Sequence, residues 1–366
     1  MMKKVMNKKK LTITAVIALI AALIFLGGGQ LLAGPPDVPP GLEIAMEVQE
    51  AHTPALMEDP GVVGTAVGLN AEGEPVIQVL VESADVRGIP RNLEGFDVVV
   101  KVTGRIVPFK GSPGGGGGGG VSHKAKQTPP IQLGTSGGWR HDLANGYCCG
   151  GTLGSLVQIG NTQYILSNYH VLNADIVDGG NGRTAQAGEP VIQPGLIDVS
   201  CNAINAQNVA TLVSGKDEGS LPSSNVDAAI AQVIQGMVRN DGAILEIGTI
   251  SSTTVGASLN QAVKKSGRTT GLTRSYVNGL NATVSVAYDN ECAGGPAFTK
   301  TFTGQILVKN RGSKFIAGGD SGSLMVQDVN TNPRAVGLLY AGSSTIAVAN
   351  PIGQVLSYFG ASMVGN

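Results

Sequence analysis

Short runs of valine, isoleucine and threonine, separated by clusters of glycine, asparagine and aspartate, most constrain the fold of this 366-residue chain. Such runs are typical of many short β-strands joined by turns. Glycine is abundant, with 54 residues, and only 14% of the residues are charged, which fits the same interpretation. The sequence therefore predicts a mainly β protein. Its length favours two or three units, at about 150 residues per domain.

The N-terminus is predicted to be a targeting segment. Five lysines between residues 3 and 10 precede the apolar stretch from Leu11 to Leu26, and a positive segment followed by an apolar core is typical of a secretory signal. The stretch is long for a signal core and short of the ~20 residues that span a bilayer. Residues 1–34 are therefore either a cleaved signal peptide or a membrane anchor, and both place the remainder outside the cytoplasm.

Residues 41–110 are predicted to form a small α+β domain. The stretch from Leu42 to Met57 predicts an amphipathic helix, with apolar positions at Ile44, Val48, Ala51 and Ala55. Three strand-like runs follow, at Val62 to Leu69, Pro75 to Val81 and Phe96 to Val107. Residues 111–138 are rich in glycine and proline and cannot bury a core, so they are predicted to be a flexible linker.

The segment from Ala317 to Leu324 contains a candidate nucleophile, Ser321, which follows an aspartate and precedes a glycine. A serine hydroxyl needs a base to take its proton and hydrogen-bond donors to stabilise the oxyanion that forms. The small residues permit a tight turn in which the N–H groups of Gly319 and Ser321 converge. This pattern predicts an oxyanion hole at the turn.

A candidate base and a candidate acid lie upstream of this segment. His170 ends an apolar strand-like run, and Asp227 begins another. Taken alone, each has an ordinary structural interpretation, as a buried core histidine and a strand-end aspartate. The order His170, Asp227, Ser321, each beside a predicted strand, is the chymotrypsin order and differs from the orders in subtilisin and the α/β-hydrolases. The three residues together predict a catalytic triad.

Five segments carry a resemblance to a known family, and they are Cys149–Val157, Ser167–His170, Val226–Ala229, Lys265–Thr273 and Gly318–Ser323. They resemble the trypsin/chymotrypsin family of serine proteases, in its bacterial secreted branch. The Ser-Gly-Arg-Thr-Thr-Gly sequence in the fourth segment is similar to one in the α-lytic protease and streptogrisin group. The resemblance covers residues 140–360 and none of the first third of the chain.

The resemblance implies two six-stranded antiparallel β-barrels of the chymotrypsin type over residues 139–366, preceded by the small α+β domain. It implies a primary substrate pocket with its floor at Phe315 and its wall at Tyr340, Ala341 and Gly342. No acidic residue stands at these positions, so we expect a small or apolar preference rather than lysine or arginine, because an unpaired buried cation is costly. Protein or peptide substrates are implied, with no cofactor and no metal.

The sequence also departs from the family pattern. Ser323 stands where the family has glycine, and no cysteine follows His170 to brace the histidine loop. Lys264 and Arg274 occupy positions where the bacterial group tends to have a disulfide. These loops must therefore be stabilised in another way.

The remaining features limit partners and location. Net charge is −1 and no basic cluster lies beyond the N-terminus, so nucleic-acid binding has no support. The four cysteines, Cys148, Cys149, Cys201 and Cys292, are predicted to form disulfides outside the cytoplasm, with Cys201 and Cys292 paired either to the adjacent doublet or to each other. They lack the spacing of a zinc site.

Two roles stay open for residues 41–110, and three functions for the whole chain. The N-terminal domain is either a pro-region that assists folding and then inhibits, with cleavage within 111–138, or a spacer that holds the rest off the membrane. The chain is predicted to be a secreted or membrane-tethered serine endopeptidase. The alternatives are a catalytically silent protein-binding module on the same fold and a structural envelope protein.

Overall fold

The computed structural model describes residues 39–109, 121–144, 147–173, 185–213, 225–288 and 298–366. Val38–Asn366 form one compact unit. The predicted targeting segment at residues 1–34 lies outside the described residues, as does Cys292. Within the described ranges, no helix is long and apolar enough to cross a membrane.

The described helices are α1 Leu42–Met57, α2 Tyr169–Leu172 and α3 Ile352–Phe359. The strands up to Asp227 are β1 Val62–Leu69, β2 Pro75–Val81, β3 Asn92–Leu93, β4 Phe96–Val102, β5 Val107–Pro108, β6 Thr135–Trp139, β7 Leu143–Ala144, β8 Tyr147–Cys148, β9 Gly151–Leu153, β10 Ser155–Ile159, β11 Thr162–Ser167, β12 Pro190–Gln193 and β13 Gln207–Leu212. The later strands are β14 Ala229–Val233, β15 Ala262–Gly267, β16 Gly271–Tyr288, β17 Phe298–Lys309, β18 Leu324–Gln327, β19 Ala335–Gly342, β20 Ile346–Pro351 and β21 Ser362–Met363.

Six antiparallel strands close into a first barrel. The paired strands run in the order β10, β11, β14, β13, β12, β6 and β9, and only Gly154 separates β9 from β10. This continuous strand pairs with β6 through its first part and with β11 through its second, which completes the ring. A Cβ atom on Gly154 would lie 2.0 Å from the Gly322 carbonyl oxygen, so glycine lets the barrel touch the Ser321 loop.

Six further antiparallel strands close into a second barrel, in the order β15, β18, β19, β20, β17 and β16, with β15 paired back to β16. One buried apolar cluster contains Leu156 and Ile165 from the first barrel and Phe302 and Tyr340 from the second, so the barrels share a core. The prediction of a mainly β fold with two six-stranded antiparallel barrels is confirmed.

The described residues before the first barrel extend the sheet of the second. β1 pairs antiparallel with both β16 and β2, and β2 pairs parallel with β4. Helix α1 covers β1, with Ala45 and Val67 fully buried in one apolar cluster. The short strand β5 instead pairs antiparallel with β19 of the second barrel. That residues 41–110 act as a domain of their own stays a prediction.

The bounds of α1, β1 and β2 are those predicted, but the third predicted strand is too long. It ends as β4 at Val102 rather than continuing to Val107. Gly104 adopts a φ of 76°, a left-handed conformation that interrupts an extended strand. Beyond this turn, Val107 and Pro108 form the separate strand β5, which pairs with β19.

The predicted apolar face of α1 is also wrong in part. Of the four predicted apolar positions only Val48 is buried, and Ile44, Ala51 and Ala55 are exposed. Gln49 and Thr53 are buried instead. The side chains of Gln49 and Thr53 each lie 2.6 Å from the Thr65 hydroxyl oxygen on β1. These polar groups can be buried because they hydrogen-bond to one another. Apolar periodicity in the sequence gives no sign of such a contact.

Candidate active site

His170 and Asp227 meet at adjacent strand ends of the first barrel. His170 lies in α2, just after β11, and Asp227 lies just before β14, which pairs with β11. His170 Nδ1 is 2.6 Å from Asp227 Oδ2, and the His170 backbone N–H donates to Asp227 Oδ1 over 3.2 Å. Both side chains are buried. These two contacts fix the orientation of the imidazole against the carboxylate.

Three side chains that sequence reasoning missed hold Asp227 in place. The Tyr288 hydroxyl donates to Asp227 Oδ2 over 2.8 Å, Asn168 Nδ2 donates to the Asp227 carbonyl over 2.7 Å, and Asn350 Oδ1 accepts from the Asp227 N–H over 3.1 Å. Burial alone would raise the pKa of Asp227, but the charge of His170 and hydrogen bonds from His170 and Tyr288 hold that pKa below its ordinary value. The carboxylate therefore stays ionised.

Ser321 comes from the second barrel, on the loop between β17 and β18, and is fully buried. Its hydroxyl donates to the Tyr340 carbonyl oxygen over 3.0 Å. His170 Nε2 is buried and has no hydrogen-bond partner in the part of the chain that the structure describes. The hydrogen bond between serine and imidazole is thus not formed in this conformation.

Thr152 connects the Ser321 loop to the strand that leads to His170. Its backbone N–H donates to the Ser321 carbonyl oxygen over 2.8 Å, and its own carbonyl accepts from the Ser167 hydroxyl over 2.7 Å. Ser167 is the last residue of β11. These hydrogen bonds connect the Ser321 loop to the first barrel.

The N–H groups of Gly319 and Ser321 converge on one acceptor. The Phe109 carbonyl oxygen lies 2.5 Å from the Gly319 nitrogen and 3.4 Å from the Ser321 nitrogen. Gly319 has a φ of 98°, and a Cβ atom there would lie 2.5 Å from the Thr269 hydroxyl oxygen. Both restrictions require glycine, and the resulting turn is the one that the sequence motif predicts.

Asp320, between Gly319 and Ser321, connects the Ser321 loop to the turn after β15. Its carboxylate accepts hydrogen bonds from the Thr269, Thr270 and Ala317 N–H groups and from the Thr270 hydroxyl, over 2.6 to 3.2 Å. Lys265 Nζ lies 3.6 Å from Asp320 Oδ2, and neither side chain is exposed. Lys265 is therefore a positive partner of this carboxylate. Burial lowers the pKa of Lys265, and attraction to Asp320 opposes this.

We expect Asp320→Ala to lower the free energy of unfolding by about 3–5 kcal/mol. The substitution leaves the Lys265 ammonium buried without its counter-charge and removes the acceptor of the Thr269, Thr270 and Ala317 N–H groups. Urea unfolding monitored by tryptophan fluorescence measures the change. The matched control is Asp328→Ala, which removes a partly exposed ion pair with Arg274 and should cost only about 0–1 kcal/mol. Equal losses in the two variants would contradict the prediction.

The predicted pocket residues come from two sides, the loop after β17 and the end of β19. Phe315 is 2% exposed and belongs to the cluster that contains Phe109, while Tyr340, Ala341 and Gly342 form the end of β19 beside β5. Asn310, which sequence reasoning missed, joins the two sides. Its amide bonds the N–H groups of Phe315 and Ile316 and the carbonyls of Ile316 and Ser343. A single asparagine after a strand carries no sequence signal for this role.

The departures from the family pattern have structural counterparts. Lys264 and Arg274 face each other across β15 and β16. Lys264 Nζ donates to the Val329 carbonyl over 2.6 Å, and Arg274 Nε donates to Asp328 Oδ1 over 3.2 Å. Both cations, which stand where the bacterial group tends to have a disulfide, therefore contact the segment at residues 328–329.

One disulfide joins described cysteines. Cys148 is bonded to Cys201, at a Cα–Cα distance of 5.5 Å, which is one of the pairings that the sequence left open. The bond connects the last residue of β8 to the loop that follows β12. It braces the first barrel at a place other than the histidine loop.

No protein-family model and no curated protein matches the chain. Among similar solved structures is a glutamic-acid-specific serine protease, with 16% identity, covering 64% of this chain and 100% of its own, at a TM-score of 0.41. Thermobifida fusca protease A has 20% identity, 64% and 99% coverage and a TM-score of 0.40. An alpha-lytic protease homologue has 16% identity, 63% and 98% coverage and a TM-score of 0.39.

Proposed function

We propose that this chain is a serine endopeptidase, secreted or held at the membrane by its N-terminal segment, in which His170, Asp227 and Ser321 hydrolyse peptide bonds through an acyl-enzyme. One observation carries the proposal. The bonded, buried pair of His170 and Asp227 is fastened to a loop on which the N–H groups of Gly319 and Ser321 converge on a single carbonyl oxygen. This is the set of groups that acyl transfer requires.

The chemistry follows from these contacts. Asp227 accepts a hydrogen bond from the protonated Nδ1 of His170. Nε2 is then the basic nitrogen of the imidazole. The Ser321 hydroxyl turns from the Tyr340 carbonyl to Nε2, gives up its proton and attacks the substrate carbonyl. The Gly319 and Ser321 N–H groups bind the oxyanion, and losing one such donor typically costs about 10²–10³ in rate. His170 then delivers the proton to the leaving amine, and water releases the acyl group.

A fluorophosphonate probe tests the proposal, because it labels only an activated serine. Because the Phe109 carbonyl accepts from the Gly319 and Ser321 N–H groups in the full chain, the residues before the linker are first cut off and removed. We expect the wild-type protein then to carry the label on Ser321, and Ser321→Ala and His170→Ala treated in the same way to carry none. Ser323→Ala is the matched control for the neighbouring serine. Its hydroxyl donates to the Asp320 carbonyl over 2.6 Å, so labelling should persist in that variant. Absence of label on folded wild-type protein from which these residues have been removed would contradict the proposal.

The silent binding module is the second candidate, and one observation favours it. The Ser321 hydroxyl bonds the Tyr340 carbonyl while His170 Nε2 has no partner among the described residues, an arrangement that does not react as it stands. A module of this kind predicts a folded chain without a labelled serine, so the same experiment separates the two functions.

The extracytoplasmic location is part of the proposal. The bond between Cys148 and Cys201 is of a kind that persists in oxidising compartments. Together with the lysine-rich apolar N-terminus, it favours a protein that acts outside the cytoplasm on protein or peptide substrates.

A further inference from the structure

The chain places part of itself alongside the candidate active site. Strand β5 pairs antiparallel with the end of β19, with Val107 opposite Gly342 and Pro108 opposite Ala341. The Phe109 N–H then donates to the Tyr340 carbonyl over 3.2 Å. An extended peptide added to a strand edge is a common way of binding a substrate backbone. A proline is tolerated there because an edge residue need not donate a ladder hydrogen bond.

The carbonyl of Phe109 occupies the proposed oxyanion hole. Its oxygen is the acceptor on which the Gly319 and Ser321 N–H groups converge, at 2.5 and 3.4 Å. The Tyr340 carbonyl thus accepts from the Phe109 N–H on one side and from the Ser321 hydroxyl on the other. These contacts position the Phe109 carbonyl group where a scissile carbonyl would have to lie.

The side chain of Phe109 fills the predicted pocket. Phe109 is 7% exposed and lies in the buried cluster that contains Phe315 and Ile316. A Cβ atom on Gly342 would lie 2.6 Å from Phe109 Cε2, so the ring needs the space that glycine leaves in the wall. The pocket therefore has room for a large aromatic ring, which the small-or-apolar expectation from sequence did not specify.

We propose that the peptide bond after Phe109 is the site at which the chain processes itself, and that the primary pocket selects large apolar side chains. This inference rests on the proposed function. Ser321 Oγ bonds to the Phe109 carbonyl carbon, and the bond from that carbon to the nitrogen of Lys110 breaks. The Ser321 proton passes through His170 to the new amine of Lys110. Water then hydrolyses the ester, which leaves a carboxylate on Phe109 and restores Ser321.

The site lies just before the segment 111–138, in which cleavage is expected from sequence, and it leaves that segment attached to the protease. Until the cut is made and the N-terminal residues leave, Phe109 excludes other substrates from the hole. The pairing of β1 with β16 provides a second attachment, so cutting alone does not release them. Residues 41–109 would therefore inhibit the protease until they leave, which is the pro-region role among the two that the sequence leaves open.

The experiment uses the full chain and locates its cut by intact mass and N-terminal sequencing. We expect a fragment that begins at Lys110, and none in Ser321→Ala. Phe109→Asp should slow the cut at least ~100-fold, because a carboxylate would be buried in an apolar pocket, and Phe109→Leu should keep it within about tenfold of wild type. Thermal unfolding verifies that both variants fold.

Peptide substrates remove any dependence on folding of the variants. The processed wild-type enzyme, separated from its N-terminal fragment, should hydrolyse the anilide of Ile-Val-Pro-Phe at least ~100-fold faster, in kcat/KM, than that of Ile-Val-Pro-Asp. A fluorophosphonate label on Ser321 combined with a cut at another bond, or with equal hydrolysis of both anilides, would overturn this inference and leave the proposed function intact. A folded chain that has been freed of residues 41–109 and still carries no label on Ser321 would overturn both.

Discussion

Replacing His170 with alanine is expected to lower kcat/KM for an apolar peptide anilide by about 10⁶-fold, the scale on which losing the general base disables a triad. His170 is the buried imidazole that contacts Asp227, and its Nε2 atom is left for the Ser321 proton. Each chain is first cut with immobilised wild-type enzyme, which is then filtered off. The N-terminal fragment is removed as well, so that all variants are compared in the same state.

The matched control is His123→Ala. His123 is also buried, and its ring nitrogens bond the Gly134 carbonyl and Glu246 over 2.8 and 2.6 Å. Losing it should lower stability while kcat/KM of the folded fraction stays within about tenfold, because no proton of the reaction passes through it. If His170→Ala retained as much activity as His123→Ala, His170 would not be the base.

Asp227→Asn is expected to lower kcat by about 10⁴-fold with the fold intact. An amide keeps the size of the carboxylate but no longer favours the tautomer in which His170 carries its proton on Nδ1. The control variant is Tyr288→Phe, which removes the other donor to Asp227 Oδ2 and should cost only about tenfold, since the carboxylate stays. Steady-state kinetics on the same anilide measures both, and equal losses would contradict the assigned role.

The same variant carries a pH signature. Since the folded-state pKa of Asp227 lies below its ordinary value of 3.8, the carboxylate stabilises the fold above that pH and this contribution is lost as pH falls through the folded pKa. Acid titration of the unfolding free energy should therefore show a shallower decline in Asp227→Asn than in wild type.

Part of this molecule could be predicted from its sequence because local patterns report on local geometry. The Gly-Asp-Ser-Gly turn, the strand ends at His170 and Asp227, and the bounds of α1, β1 and β2 all follow from short-range preferences. The triad order adds long-range information, since it links three separate segments. Burial alone would not have distinguished His170 from His123, and the contact with Asp227 does.

The partners that complete the site could not be predicted, because each depends on strand register. Tyr288, Asn310 and Lys265 lie in or beside strands whose patterns show only that they form a sheet. Which carboxylate or loop each one reaches is decided by barrel closure over large sequence separations. The role of Phe109 was hidden for the same reason: β5 is two residues long and acquires its meaning from the strand that it joins.

The shared construction of the two barrels has one last consequence. His170 and Asp227 lie in the first barrel, and Ser321 with its amide donors lies in the second. The hydrogen bonds of Thr152 connect the two. Activity should therefore depend on how the two barrels pack against each other. Gradual denaturation should abolish activity at the transition that separates the barrels, even while each barrel keeps its strands.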